Sequence, residues 1–294
     1  MAAEMEITQL PDVSLRPRRV AVGEFDGVHL GHRQVIEGSD TVLTFEPHPL
    51  AVVRPEAAPK LLTTLEVKAE LISELGVQEL VVIPFDESFA HQSPEDFIAE
   101  ILVGRLGATR VSVGENFRFG HRAAGDPDAL KAREEFETRV VTLVEVDGEV
   151  VSSSHIRALV QAGEVEAAAR MLGSPFQMRG EVVRGDGRGR DLGYPTANLV
   201  PDNSLVCPGH GIYVALADGS CAAVNVGVRP TFGTGRAVLV EAHILDLEDN
   251  ELYGHQLRVD FLARLRGERR FDSVEALVEQ MGRDVERTRE LCPK

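Results

Sequence analysis

The pattern of apolar residues changes character at Gly173-Ser174-Pro175, and the chain must fold differently on either side of it. Upstream, Arg19 to Val22, Thr41 to Phe45, Leu80 to Ile83, Arg110 to Val113 and Val140 to Val144 are short apolar runs suited to buried strands. Helical stretches lie between them. Thr64 to Leu75 predicts a helix capped by Thr64 and stopped by Gly76, and Ser93-Pro94 opens another that runs to Leu102. Two more are expected over 154–162 and 165–172, each ending at a glycine. Strands alternating with helices imply right-handed crossovers and a parallel sheet. Downstream, Met178 to Val183, Ile212 to Leu216, Cys221 to Val226, Val238 to Leu245 and Gln256 to Leu265 follow one another without helices, broken by Gly, Pro, Asn and Asp. That texture predicts an antiparallel barrel, and Ser273 to Leu291 predicts an amphipathic helix after it. The expected domains are therefore 1–173, α/β, and 174–294, β.

A formal charge of −16 on 294 residues repels a nucleic-acid backbone, so neither DNA nor RNA is an expected partner. Small phosphorylated ligands need only a few local donors and remain admissible. No apolar run reaches the length of a membrane span. Residues 1–10 carry Glu4 and Glu6 and lack the layout of a signal peptide, so a cytoplasmic, membrane-free protein is expected. Cys207, Cys221 and Cys292 match no zinc spacing and are expected to be buried thiols.

Three clusters in the upstream half carry chemistry. Gly23-Glu-Phe25-Asp-Gly27-Val-His29-Leu-Gly31-His32 sits where a strand turns into a helix, so two imidazoles three residues apart can face a ligand phosphate beside unpaired backbone N–H groups. Ser152-Ser153-Ser154-His-Ile-Arg157 offers hydroxyls and a guanidinium for the outer phosphates. Gly114-Glu-Asn116-Phe117-Arg-Phe-Gly120 supplies an amide and aromatic faces suited to a flat heterocycle. Taken singly, the first fits a turn with solvent histidines and the second an ordinary serine cap equally well.

The densest signal lies in the downstream half. Gly185-Asp-Gly-Arg-Gly189-Arg190-Asp-Leu-Gly193-Tyr-Pro-Thr196-Ala-Asn198 is a glycine-rich, locally basic loop within an acidic chain, able to wrap a polyphosphate. It lacks the Gly-Lys-Ser/Thr ending of a P-loop. Thr196 and Asn198 are hard oxygen donors two residues apart, reasonable for Mg²⁺ when phosphate oxygens complete its shell. Glu241 interrupts the apolar run Val238-Leu-Val-Glu-Ala-His-Ile-Leu245, where a carboxylate is unfavourable unless it faces outward or has a task.

In their order, these motifs resemble those of the bacterial bifunctional riboflavin kinase/FAD synthetases. Further matches are Phe45-Glu-Pro-His48-Pro49, Asn225-Val-Gly-Val-Arg-Pro-Thr-Phe232, Glu241-Ala-His-Ile-Leu-Asp246, Leu252-Tyr-Gly254 and Leu265-Arg-x-Glu-x-x-Phe271. The resemblance implies a Rossmann-like nucleotidyltransferase domain followed by a riboflavin kinase barrel. It places His29 and His32, with Gly23, Phe25, Ser153, Ser154 and Arg157, on ATP phosphates. Asn116, Phe117, His48 and Pro49 would shape the flavin and nucleotide sites. In the barrel, Gly185, Gly189, Arg190 and Gly193 would hold phosphate, Thr196 and Asn198 would hold Mg²⁺, and Glu241 would be the general base. Implied substrates are riboflavin, FMN and ATP; a homo-oligomer is left open.

One departure bears on this. Only Arg33 to Asp40 separates His32 from the strand at Thr41, barely two helical turns where the family has a full helix and loop. A kinase with a degenerate adenylyltransferase domain, and a flavin carrier without catalysis, are the rival expectations.

Overall fold

A computed structural model describes residues 5–185, 189, 192–231, 235–247 and 252–293. The chain forms two compact units, Met1–Ser153 and Ser154–Lys294. The division between these units lies one helical pair earlier than residue 174, because the helices Ser153–Ala162 and Val165–Leu172 group almost entirely with the second unit.

In the first unit, β1 (Glu6–Gln9), β2 (Arg18–Val22), β3 (Thr41–Glu46), β4 (Glu79–Pro84), β5 (Ala108–Gly114) and β6 (Glu137–Val141) form one parallel sheet in the order β1-β4-β3-β2-β5-β6. Both faces are covered, as parallel sheets require. Val20, Val22, Leu43, Phe45, Val81 and Ile83 join one buried cluster, while Ala21, Val42, Leu80 and Val82 join the other. The strand period of two accounts for the division. Strand β1 and a short hairpin, β7 (Glu145–Val146) with β8 (Glu149–Val150), were not expected, and the run at Val140 pairs from Glu137 instead.

At the amino ends of the strands, Arg18 is 1% and Glu79 4% exposed, and they form a two-pronged ion pair at 2.7 and 3.1 Å. Arg16 adds a third donor to the carboxylate. Burial opposes the charge on Glu79, but the hydrogen bond and field of Arg18, with Arg16, outweigh it and hold its carboxyl below the usual range.

The helix that carries His32 spans Leu30–Ile36 and buries Val35 and Ile36 against the sheet. Thr64 caps the helix Leu65–Ser73 by accepting from Val67 N, as expected. Ser93 likewise caps its helix, which widens into π-type turns from Phe97 to Arg105.

In the second unit, β9 (Phe176–Val183), β10 (Ala197–Pro201), β11 (Gly211–Ala217), β12 (Ser220–Thr231), β13 (Gly235–Ile244) and β14 (Gln256–Arg266) close an antiparallel barrel in the order β10-β13-β12-β11-β14-β9. Ala222, Val224 and Val226 of β12 and Val240, Ala242 and Ile244 of β13 fill its interior. Strand β10 was not expected. Its proline and asparagine are poor strand formers, and pairing on both edges with β9 and β13 overrides that preference.

The helix Val274–Leu291, capped by Ser273, packs on β11 and β12. Its end is tied to the barrel by a disulfide between Cys221 and Cys292, which corrects the expectation of buried thiols for these two residues. Their separation of 71 residues gave no local spacing to read. Cys207 is half-buried and lies outside that bond. Among the described residues no helix is long and apolar enough to cross a membrane.

Candidate active sites

The sheet order reverses beside β2: the chain moves outward through β3 and β4, then returns to β5 on the other side. Such a switch opens a crevice beyond the carboxyl ends of β2 and β5. The Gly23–His29 loop leaves β2 there, the Asn116–Phe117 loop leaves β5, and the His48–Pro49 turn leaves neighbouring β3. Three of the expected site motifs thus share one edge of one sheet.

The Gly23–His29 loop is tied to the segment at Leu62 and Thr63. The Asp26 carboxylate accepts from Leu62 N at 2.9 Å, Thr63 N at 3.0 Å and the Thr63 hydroxyl at 3.3 Å. The backbone turns through positive φ at Phe25 (51°), Gly27 (84°) and Val28 (41°). For Phe25 and Val28 that region is uncommon, so burial to 1% or less must over-determine the geometry.

This turn delivers His29, 5% exposed, to the start of the Leu30–Ile36 helix, where its Nδ1 accepts from His32 N at 3.2 Å. The two imidazoles stack with ring centres 3.5 Å apart, and Phe25 meets His32 edge-on at 5.3 Å. Gly31 lies against the His29 ring, where a Cβ would come within 3.2 Å of Cε1.

Asn116 is exposed and Phe117 half-buried, stacked on Phe119 at 5.5 Å. His48 and Pro49 are half-buried, and His48 Nδ1 accepts from Leu50 N at 3.1 Å. The Ser153 hydroxyl donates to the Asp26 carbonyl at 2.9 Å, which brings it to the same loop. Ser154, exposed, and Arg157, half-buried, stand on the first turns of the following helix and belong to the second unit.

Glu24 was missed as an individual residue, hidden inside the motif that contains it. Its carboxyl pKa is pushed up to about 8, chiefly by burial, with the Asp26 and Glu46 charges raising it and Lys68 lowering it. Perturbed carboxyls of this kind occur both at functional sites and in buried charge clusters, and Glu24 lies in the loop that leaves β2. Only the buried environment distinguishes it, and no spacing in the sequence encodes that.

In the barrel the candidate residues lie on the outer face. Register places Asn198 of β10 opposite Glu241 of β13, and Asn225 of β12 opposite Glu241 on its other side. Directly opposed residues share a face, so these three side chains form a row across three strands. Asn225 Nδ2 donates to Glu241 Oε2 at 3.1 Å, and Asn198 Nδ2 donates to the Thr196 carbonyl at 3.3 Å.

Gly189 accepts at its carbonyl from Tyr194 N at 2.8 Å, and a Cβ there would lie 3.4 Å from Thr196 Oγ1. Gly185 packs on the Asn198 amide, and exposed Gly193 turns at φ 85°. Tyr194 meets His243 edge-on at 5.4 Å, and His243 Nδ1 donates to the Pro195 carbonyl at 2.8 Å. Arg190 lies outside the described residues.

Among the described residues no group of three or more His, Cys, Asp or Glu could hold a metal ion. The Thr196 hydroxyl and Asn198 amide oxygen are hard donors two residues apart in the chain, the donor type that Mg²⁺ takes beside phosphate oxygens.

Comparison with known proteins agrees with this division. A family model described as FAD synthetase matches residues 13–155, and one described as riboflavin kinase matches residues 172–292. A bifunctional riboflavin kinase/FMN adenylyltransferase of Bacillus subtilis is 37% identical over 90% of this chain and 89% of its own length. The protein of the same name from Escherichia coli is 36% identical over 92% and 91%. A crystal structure described as a macrolide-efflux protein from Streptococcus pneumoniae superposes with a TM-score of 0.88 at 29% identity, covering 97% of this chain and 99% of that one.

Proposed function

Because the chain belongs to the bifunctional riboflavin kinase/FMN adenylyltransferase family, we propose that it makes FMN and then FAD in two consecutive ATP-dependent steps. The observation that carries the first step is the Asn198–Glu241–Asn225 row beside the glycine loop. Glu241 takes the proton of the riboflavin 5′-hydroxyl while that oxygen forms a bond to the γ-phosphorus of ATP, and the bond to the ADP oxygen breaks. Little covalent chemistry falls to the protein in phosphoryl transfer, so a fixed base and fixed phosphates suffice. The loop of Gly185, Gly189 and Gly193, with Arg190, binds the polyphosphate, and Thr196 and Asn198 would hold Mg²⁺. The ion supplies positive charge to the phosphate oxygens when bound.

In the α/β domain, a phosphate oxygen of FMN bonds to the α-phosphorus of a second ATP, and pyrophosphate leaves. No protein nucleophile is needed. His29 and His32, stacked and oriented by the loop that Asp26 locks, donate to the phosphates on which charge develops, with Gly23 and Phe25 shaping the approach. Ser153, Ser154 and Arg157 bind the outer phosphates. Asn116 and Phe117, with His48 and Pro49, receive the flavin and adenine rings. The working division is residues 1–173 for adenylyl transfer and 174–294 for the kinase, and a cytoplasmic location accompanies it.

Replacing Glu241 by Gln tests the assignment. FMN formation from riboflavin should fall by at least about a thousand-fold, the scale of losing a positioned base and its charge. FAD formation from supplied FMN should be unchanged. Survival of FMN synthesis would remove Glu241 from the role.

A further inference from the structure

We infer that Asn225 is a positioning residue for the kinase reaction, holding the Glu241 carboxylate so that one defined oxygen faces the substrate hydroxyl. The inference rests on the reading of Glu241 as the base.

Strand pairing does not require this side chain. The backbone of Asn225 is already in register with Ile212 of β11 on one side and Glu241 of β13 on the other. Its neighbours two residues away on the same outer face are Ala223 and Gly227, so an apolar or small residue is accommodated there. The amide is spent on one acceptor among the described residues, Glu241 Oε2 at 3.1 Å.

The other side of the carboxylate is arranged differently. Asn198 stands opposite Glu241, yet its Nδ2 donates to the Thr196 carbonyl. No described residue donates to Glu241 Oε1. The two asparagines therefore divide the work. Asn198 directs its amide nitrogen to the Thr196 carbonyl just before its strand, while Asn225 occupies Oε2 and leaves Oε1 to accept a proton.

A half-buried glutamate still has three rotatable bonds and can sample several rotamers. A hydrogen bond from a strand-anchored amide removes most of that freedom before substrate arrives. The gain enters the chemical step, because misplacing a reacting group by about 1 Å can cost about a hundred-fold. Binding of riboflavin and ATP, which depends on other groups, should be little affected.

The experiment is steady-state kinetics of FMN formation by the full-length enzyme carrying Asn225→Ala, Asn225→Ser or Asn225→Asp. Asn225→Ala should lower kcat about ten- to a hundred-fold while the KM values for riboflavin and ATP change less than about three-fold. Asn225→Ser, which restores a shorter donor, should recover part of the loss. Asn225→Asp keeps the shape but sets two carboxylates together, and should fall below Asn225→Ala.

Thermal unfolding of each variant checks that the barrel is intact. If Asn225→Ala does not fold, the isosteric Asp variant decides. A kcat within two-fold of wild type in the folded variants would overturn the inference, as would a rise in KM at constant kcat, which marks a substrate contact. If Glu241→Gln retains FMN synthesis, the underlying base assignment fails first, and the two failures are told apart.

Discussion

Gly185 lies so close to Asn198 that a Cβ placed on it would stand 2.6 Å from the asparagine Cγ, inside any real carbon–carbon contact. The start of the glycine loop is thereby packed directly on an expected metal ligand, and the absence of a side chain at 185 lets the loop and the Asn198–Glu241–Asn225 row share one place.

Gly185→Ala should therefore act as a kinase mutation. The added methyl must displace either the loop or the Asn198 amide, at a strain of about 1–3 kcal/mol. We expect kcat/KM for FMN formation to fall at least about ten-fold, with FAD formation from supplied FMN unaffected. Equal kinetics for the variant and wild type would show that the loop moves aside freely.

Glu24 should impose a pH dependence on the stability of the α/β unit. Its folded-state pKa is pushed up to about 8 from 4.5, so its contribution is full below the unfolded value and is lost as pH rises towards 8. Glu24→Gln, which stays neutral throughout, should gain Tm relative to wild type between pH 5 and about pH 9. Melting curves across that range check it, and a constant difference between the two proteins would contradict the burial argument.

The Arg18–Glu79 pair has the opposite sign. Its carboxyl is held below the ordinary range, so its stabilisation is present above the unfolded pKa and disappears as pH falls through the folded value. Glu79→Gln strands a buried guanidinium, and should cost about 3–5 kcal/mol near neutrality. That deficit should shrink in acid, as chemical denaturation at pH 7 and pH 3 would report.

The Cys221–Cys292 bond closes a loop of 71 residues, and the chain-entropy account gives it about 4 kcal/mol. Reduction, or replacement of both cysteines by Ser, should lower the Tm of the barrel and leave the α/β unit's transition in place. A single unchanged melting curve would show that the helix Val274–Leu291 holds without its staple.

Where a pattern is local, the sequence was readable. Short apolar runs, with or without helices between them, located the sheet and the barrel, helix caps located the Thr64 and Ser93 starts, and ordered motifs identified the family. What depends on distant neighbours was not readable. Strand β10 forms because β9 and β13 accept it on both edges, against its own composition.

The disulfide joins a strand to a helix end, and Glu24 is distinguished only by what surrounds it. The segment after His32 is short, yet Val35 and Ile36 are buried and His29 Nδ1 accepts from His32 N, so the turn into the helix is kept.

The most direct test of the whole account is to incubate the purified protein with riboflavin, ATP and Mg²⁺ and separate the flavins by chromatography over time. FMN should appear first, then FAD at the expense of FMN. Unchanged riboflavin would contradict the kinase assignment, and FMN that accumulates with no FAD would contradict an active adenylyltransferase site.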